Sequence, residues 1–152
     1  MISPSNSPWT LLVPIAPLLL LLLVSASLRA EQPISIFLNG AAEVPPVATS
    51  ATASGQFTVL PDRTVSGSIK ISGMVPTVAH IHEAAVGKNG PAIITLSKSP
   101  DDSYAVPAGA RLSEAQYRSY ATGNLYVNVH STQHPDGEIR AQWLGKPMRL
   151  AN

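Results

Sequence analysis

The chain contains no cysteine, which excludes a disulfide framework, a thiolate zinc site, a cysteine nucleophile and a lipid anchor on sulfur. Charge is scarce as well: 12% of residues are Asp, Glu, Lys or Arg, and ten basic against nine acidic residues give a formal charge of +1. Such a balance offers neither the basic field that attracts nucleic acid nor an acidic tail. Aromatic residues make up 5% of the chain, too few for a platform on which single-stranded bases stack. Motifs of covalent and phosphoryl chemistry are missing too. There is no Gly-x-Ser-x-Gly elbow, and Gly87-Lys88-Asn89-Gly90 lacks the spacing and the Ser/Thr ending of a phosphate loop. Asp101-Asp102 lies in a polar Ser/Pro stretch with no apolar pocket implied, and no Asn-x-Ser/Thr acceptor for N-linked glycan occurs.

What the sequence does carry begins with a leader. Leu11 to Val24 is an apolar run, followed by the small-residue segments Ser25-Ala26-Ser27 and Leu28-Arg29-Ala30, the layout of a secretory signal peptide cleaved after Ala26 or Ala30. Pro14 and Pro17 interrupt the run, which falls short of the roughly 20 residues of a membrane span. Residues 1–30 are therefore assigned to a signal peptide, 31–146 to one domain and 147–152 to a tail without periodicity. The mature chain is expected to be secreted, extracellular or periplasmic, with no transmembrane segment. Removing residues 1–30 of the 152 leaves 122, with Arg29 the one charge lost. An exported, cysteine-free chain of this size is held by packing and hydrogen bonds alone.

From Ile34 onward, short alternating apolar runs recur between Gly, Pro and Asn punctuation, as an antiparallel sheet protein requires. About seven strands are expected: Ile34–Asn39, Gly55–Leu60, Thr64–Ser72, Val78–Glu83, Ala92–Ser97, Leu125–Thr132 and Glu138–Leu144. The prolines of Val44-Pro45-Pro46-Val47 cannot donate into a ladder, so the segment reads as an extended edge or loop, with Glu43 before it a carboxylate that contacts a partner, caps a loop or is solvated. Ser113 followed three residues later by Gln116 is a capping box, so Ala115–Tyr120 suits a short helix ended by Gly123. The fold class is all-β: an antiparallel Greek-key sandwich or barrel, immunoglobulin-like or superoxide-dismutase-like, with one short helix.

The last two strands and the His-x-His segment carry the candidate chemistry. His134-Pro135-Asp136-Gly137 suits a tight turn that sets His134 opposite Glu138, Thr132 opposite Arg140 and His130 opposite Gln142. Asn128, His130, Glu138, Arg140 and Gln142 then share one face of a half-buried hairpin, while Val127, Val129, Ile139 and Trp143 take the other. In His80-Ile81-His82 both imidazoles project from one strand face. All four histidines lie in these two segments, His134 in the turn itself. His80, His82 and His130, completed by Glu138 or Glu83, would suit copper or zinc. The other reading is a hydrogen-bonded polar cluster built on Asn128, Glu138 and Arg140, holding no ion.

Phe37-Leu38-Asn39-Gly40-Ala41-Ala42-Glu43-Val44-Pro45-Pro46-Val47, Ala79-His80-Ile81-His82, Gly87-Lys88-Asn89-Gly90-Pro91, Leu125-Tyr126-Val127-Asn128-Val129-His130-Ser131 and Pro135-Asp136-Gly137-Glu138-Ile139-Arg140-Ala141-Gln142 together resemble the chordin-type (CHRD) domain. The resemblance covers nearly all of the mature chain and implies an extracellular β-sandwich-like domain, found as repeats in chordin and singly in microbial secreted proteins. It brings no settled activity for single-domain members. Ala141 stands where the family usually has Gly, and Glu83 where it often has Gly, so local backbone geometry or partner contacts differ there. The cysteine-rich modules of chordin are missing, and its growth-factor antagonism does not carry over. Over three residues, the His-x-His strand is also similar to the copper-binding strand of copper/zinc superoxide dismutases, without their zinc-loop Asp or disulfide. The expected function is a non-enzymatic binding or structural module with a protein or matrix partner and no nucleic-acid partner; the rival is a copper- or zinc-binding metalloprotein, redox-active in one version.

Overall fold

A computed structural model describes residues 32–101 and 103–144. The expected signal peptide, the expected tail and domain end at residue 146, and Asp102 lie outside the described residues. Among those described, no helix is long and apolar enough to cross a membrane.

The first strand, β1 (Ile34–Asn39), shows the alternation that builds the fold: Ile36 and Leu38 are buried while Phe37 between them is exposed, as side chains two apart on an extended chain require. Asn39 ends it by accepting a hydrogen bond from the Ala42 backbone at 3.1 Å, which caps a 3-10 turn at Gly40–Ala42. Next come β2 (Thr52–Val59) and β3 (Val65–Ser72), fully paired across a turn where Asp62 accepts from the Thr64 backbone at 3.0 Å and Arg63 has a φ of 75°. Then follow β4 (Pro76–Glu83), β5 (Ala92–Thr95), β6 (Ser97–Lys98) and β7 (Ser103–Ala105). The helix α1 (Glu114–Ala121) carries the expected capping box between Ser113 and Gln116, and β8 (Leu125–Ser131) and β9 (Ile139–Trp143) complete the domain.

All strand pairs are antiparallel, in the order β5-β4-β8-β9-β1-β2-β3-β7-β6. β5 and β6 stand at opposite ends of that order, yet only Leu96 separates them in the chain. One extended segment thus pairs with β4 on one side and β7 on the other and draws the sheet into a nearly closed barrel or sandwich, as the all-β expectation held. Between β1 and β9 the ladder narrows to the single pair Asn39 and Arg140, so two halves face each other across the core. Leu38, Phe57, Ile69, Ile81, Val127 and Trp143 fill that core at 0–1% exposure, with the Phe57 and Trp143 rings 5.2 Å apart.

Three local expectations are corrected. The segment Ala92–Ser97 is two strands broken at Leu96, and Ser103–Ala105, too short to show a period, adds a strand that the pattern missed. The register of the last hairpin is shifted: Asn128 stands opposite Arg140 and Tyr126 opposite Gln142, because β8 stops at Ser131, whose hydroxyl accepts from the His134 backbone and widens the connection. An even shift preserves which residues share a face. Finally, the hairpin is not half-buried. Every residue of β8 is buried, because loops roof its polar face.

Candidate metal centre

β4 and β8 run side by side with Val78 opposite His130, His80 opposite Asn128 and His82 opposite Tyr126. Ala79, Ile81, Val127 and Val129 take the core side, so the alternation forces His80, His82, Asn128 and His130 onto the outer side together. The sequence expectation that two segments fifty positions apart meet at their histidines therefore corresponds to a direct strand pairing.

The nearest ring nitrogens, His80 Nδ1 and His130 Nε2, are 3.1 Å apart, and one ligand atom from each of His80, His82 and His130 lies within 4.8 Å of the others. Metal–nitrogen bonds near 2.0–2.1 Å on a tetrahedral ion place two nitrogens about 3.4 Å apart. One pair already meets that spacing, and the widest closes on it with a movement of about 1.4 Å at most.

The second contacts of the rings fix their protonation. His82 Nδ1 lies 2.9 Å from the Gly90 carbonyl and His130 Nδ1 lies 2.8 Å from the Pro135 carbonyl. A carbonyl only accepts, so each Nδ1 is the protonated nitrogen, and in a neutral ring Nε2 is left as a bare lone pair. Both lone pairs belong to the cluster. His130 Nε2 stands 3.1 Å from the Asn128 Oδ1, a second acceptor, and His82 Nε2 is buried with no hydrogen-bond partner. His80 Nδ1–H can donate to His130 Nε2, which leaves His82 Nε2 unsatisfied. Backbone carbonyls that hold the far nitrogen of a histidine are the usual support of a metal ligand.

Burial pushes the His80 imidazole below its ordinary value, helped by its neighbours His130 and His82. Burial does the same to His82, against the Gly90 carbonyl and the nearby Asn128 side chain, both of which favour its charged form. Both rings are thus biased toward the neutral form that binds metal. Tyr126 supports them from beside: its ring stacks on His82 at 4.7 Å between centroids, and the Arg140 guanidinium lies over it at 3.4 Å.

The charged residues of the same face make contacts of their own. Arg140 is buried and donates to Asn89 Oδ1, the Lys88 carbonyl and Gln142 Oε1, and Asn89 in turn donates to the Val44 carbonyl at 2.7 Å. It is the clamp that pulls the 84–91 loop and the 43–47 loop over the sheet. Glu138 is buried beside Thr49, accepting from its hydroxyl at 2.7 Å, and its carboxyl is held below its ordinary value against burial by hydrogen bonds from Ser131 and Thr49. Glu83 accepts from Ser119 of the helix at 2.5 Å. Neither carboxylate is grouped with the three histidines as a ligand. His134 is half-buried in the turn, outside the cluster.

Glu43 overturns its expectation as a solvated loop carboxylate. It is 5% exposed, one of its oxygens, Oε1, is buried without a partner, and its carboxyl takes a hydrogen bond from Asn128. Burial raises its pKa, opposed by Arg140 and by hydrogen bonds from Val44 and Asn128. Gly137 makes the approach feasible: a Cβ there would stand 2.6 Å from Glu43 Oε1 and 2.9 Å from Asn128 Nδ2. No local pattern marks Glu43, since only the roofing loop brings it in.

No match is found among curated proteins or solved structures. A family model described as CHRD domain matches residues 34–143. That match runs from the first residue of β1 to the last of β9 and takes in every residue of the histidine cluster, so the chain belongs to the CHRD domain family.

Proposed function

We propose that the chain is a secreted, non-enzymatic CHRD module that binds a late transition-metal ion, zinc or copper, through His80, His82 and His130. The observation that carries the reading is the buried Nε2 of His82, without a hydrogen-bond partner, on one of three imidazoles whose ligand atoms lie within 4.8 Å of one another. A polar network kept for structure alone satisfies its members, because an unpaired buried polar atom costs about 1–3 kcal/mol. A metal ion satisfies all three nitrogens at once. The three donors are imidazoles, with no thiolate in the chain, which fits zinc and copper(II) better than soft monovalent ions. Secretion is proposed from the leader and accords with the family.

The same module meets a protein or matrix partner. The metal reading is tested on untagged protein stripped with chelator, loaded with Zn²⁺ or Cu²⁺ and freed of excess ion. One equivalent per chain by elemental analysis is expected, together with a higher melting temperature, since a ligand at 100 times its Kd stabilises by about 2.7 kcal/mol. Less than about a tenth of an equivalent of either ion refutes the metal reading.

A further inference from the structure

The metal reading leaves a tetrahedral ion one position short, and it leaves a buried carboxylate without a stated role. Asn128 Oδ1 lies 3.1 Å from His130 Nε2, two acceptors facing each other, and it is near enough to His82 to favour that ring's charged form. Three lone pairs, His82 Nε2, His130 Nε2 and Asn128 Oδ1, therefore converge with no proton among them. His80 Nδ1–H supplies at most one. A carboxamide presents its oxygen to such a group only when its nitrogen is held elsewhere, and here the Asn128 side chain bonds to the Glu43 carboxylate on its other side.

Glu43 is 5% exposed with Oε1 unpartnered. The nearest strong cation, Arg140, commits its guanidinium to Asn89, Lys88 and Gln142. The turn glycine, Gly137, packs over the Glu43–Asn128 contact where any side chain would collide with it. The carboxylate, the amide and the imidazoles thus form one continuous chain, buried at Glu43, Asn128 and His130, whose far end is an anion and whose near end is a set of donors.

Resting on the proposed metal site, we propose that Asn128 Oδ1 is its fourth donor and that Glu43 is a positioning residue, which orients the Asn128 amide and makes the site selective for divalent over monovalent ions. The selectivity follows from charge: a fixed anion stabilises a divalent ion by about twice as much as a monovalent one at the same place. A carbonyl-type oxygen in place of a sulfur donor acts in the same direction.

The test compares wild-type protein with Glu43→Gln, Asn128→Ala and Asn128→Asp, titrated with Zn²⁺, with Cu⁺ and with Co²⁺ as a visible-absorbing substitute for zinc. In Asn128→Ala, Zn²⁺ affinity falls at least tenfold and the visible bands of bound Co²⁺ change as an oxygen donor is lost. Asn128→Asp, which keeps an oxygen donor but cannot donate to Glu43, retains Zn²⁺ better than Asn128→Ala and shifts the bands of bound Co²⁺ from those of the wild type. Glu43→Gln weakens Zn²⁺ tenfold or more and Cu⁺ by a smaller factor, so the ratio of the two affinities moves toward Cu⁺. If wild type binds Zn²⁺ and Co²⁺ but both Asn128 variants leave affinity and bands unchanged, the fourth-donor assignment is overturned. If Glu43→Gln lowers both affinities equally or not at all, the charge assignment is overturned. In either case the three-histidine site stands; wild-type protein that binds none of the ions overturns both.

Discussion

Replacing His82 with Phe separates a metal ligand from a structural histidine by the size of its effect on metal-free stability and by the response to zinc. The ring stacks on Tyr126 at 4.7 Å and 7°, a contact that Phe retains. What Phe removes is the hydrogen bond from Nδ1 to Gly90, worth about 0.5–1.5 kcal/mol net. It also removes the buried, unpartnered Nε2, whose desolvation costs about 1–3 kcal/mol. The Gly90 carbonyl is not orphaned, since the Tyr126 hydroxyl reaches it at 3.4 Å. The balance runs from roughly 0.5 kcal/mol of destabilisation to 2.5 kcal/mol of stabilisation in metal-free protein. For a domain of about a hundred residues, 1 kcal/mol corresponds to about 4 °C in melting temperature. Metal-free His82→Phe should accordingly melt between about 2 °C below and 10 °C above the wild type, and show no upward shift with added Zn²⁺. Scanning calorimetry with and without chelator measures both quantities. A metal-free loss above about 2 kcal/mol, with the zinc response intact, would refute the reasoning, because His82 would then be a satisfied structural group.

Three further outcomes follow from the fold. Gly55→Ala should cost at least about 2 kcal/mol in chemical denaturation, because a Cβ there would stand 1.9 Å from the Ser68 carbonyl oxygen and 2.8 Å from the Ile69 Cα, both backbone atoms that cannot swing aside; a loss under about 0.5 kcal/mol would contradict the pairing of β2 with β3. Ser113→Ala should lose about 1 kcal/mol and Ser113→Gly only a few tenths, since Gly is tolerated as a cap; equal losses would remove the capping box from the account. Metal-free stability should fall from pH 7.5 to about 5.5 through His80 and His82, whose folded pKa values are depressed below 6.5, so the unfolded chain binds more protons in that window and stability is present above it and lost on acidification. Glu43, raised above 4.5, has the opposite sign just above that value, where it gains stability on acidification, so Glu43→Gln should lose more stability than the wild type as pH is lowered toward 4.5, and an identical loss would contradict its burial.

Much of the fold is legible in the sequence because its determinants are local. The strand Ile34–Asn39 ends where the pattern expects, since alternation and an Asn-Gly break both act within a few residues. The Ser113 capping box likewise needs only a four-residue window. The register of the last hairpin is not legible, although His134-Pro135-Asp136-Gly137 does close a turn through the Gly137 to His134 backbone bond at 3.1 Å. The Ser131 hydroxyl competes for the His134 backbone and ends β8 early, and such side-chain competition is invisible to a period.

The site divides along the same line. That His80 and His82 share a face follows from a two-residue period, and that His130 shares its face with Asn128 follows from the same rule in β8. That the two faces are one face depends on β4 and β8 being neighbours in the sheet, a non-local choice. The sequence seeks a carboxylate on the strands themselves, at Glu138 or Glu83, because those lie nearest in number. The fold draws it from the 43–47 loop instead, and Arg140 shows why: its hydrogen bonds to Lys88 and Asn89, and that of Asn89 to Val44, tie two loops over a face that would otherwise be wet. Burial of that face then follows from one buried guanidinium rather than from apolar residues, which is why hydrophobic patterning marks this hairpin as half-exposed. Roofing also gives the histidines their chemistry, since the carbonyl that fixes His82 as an Nε2 donor, Gly90, belongs to the tied loop.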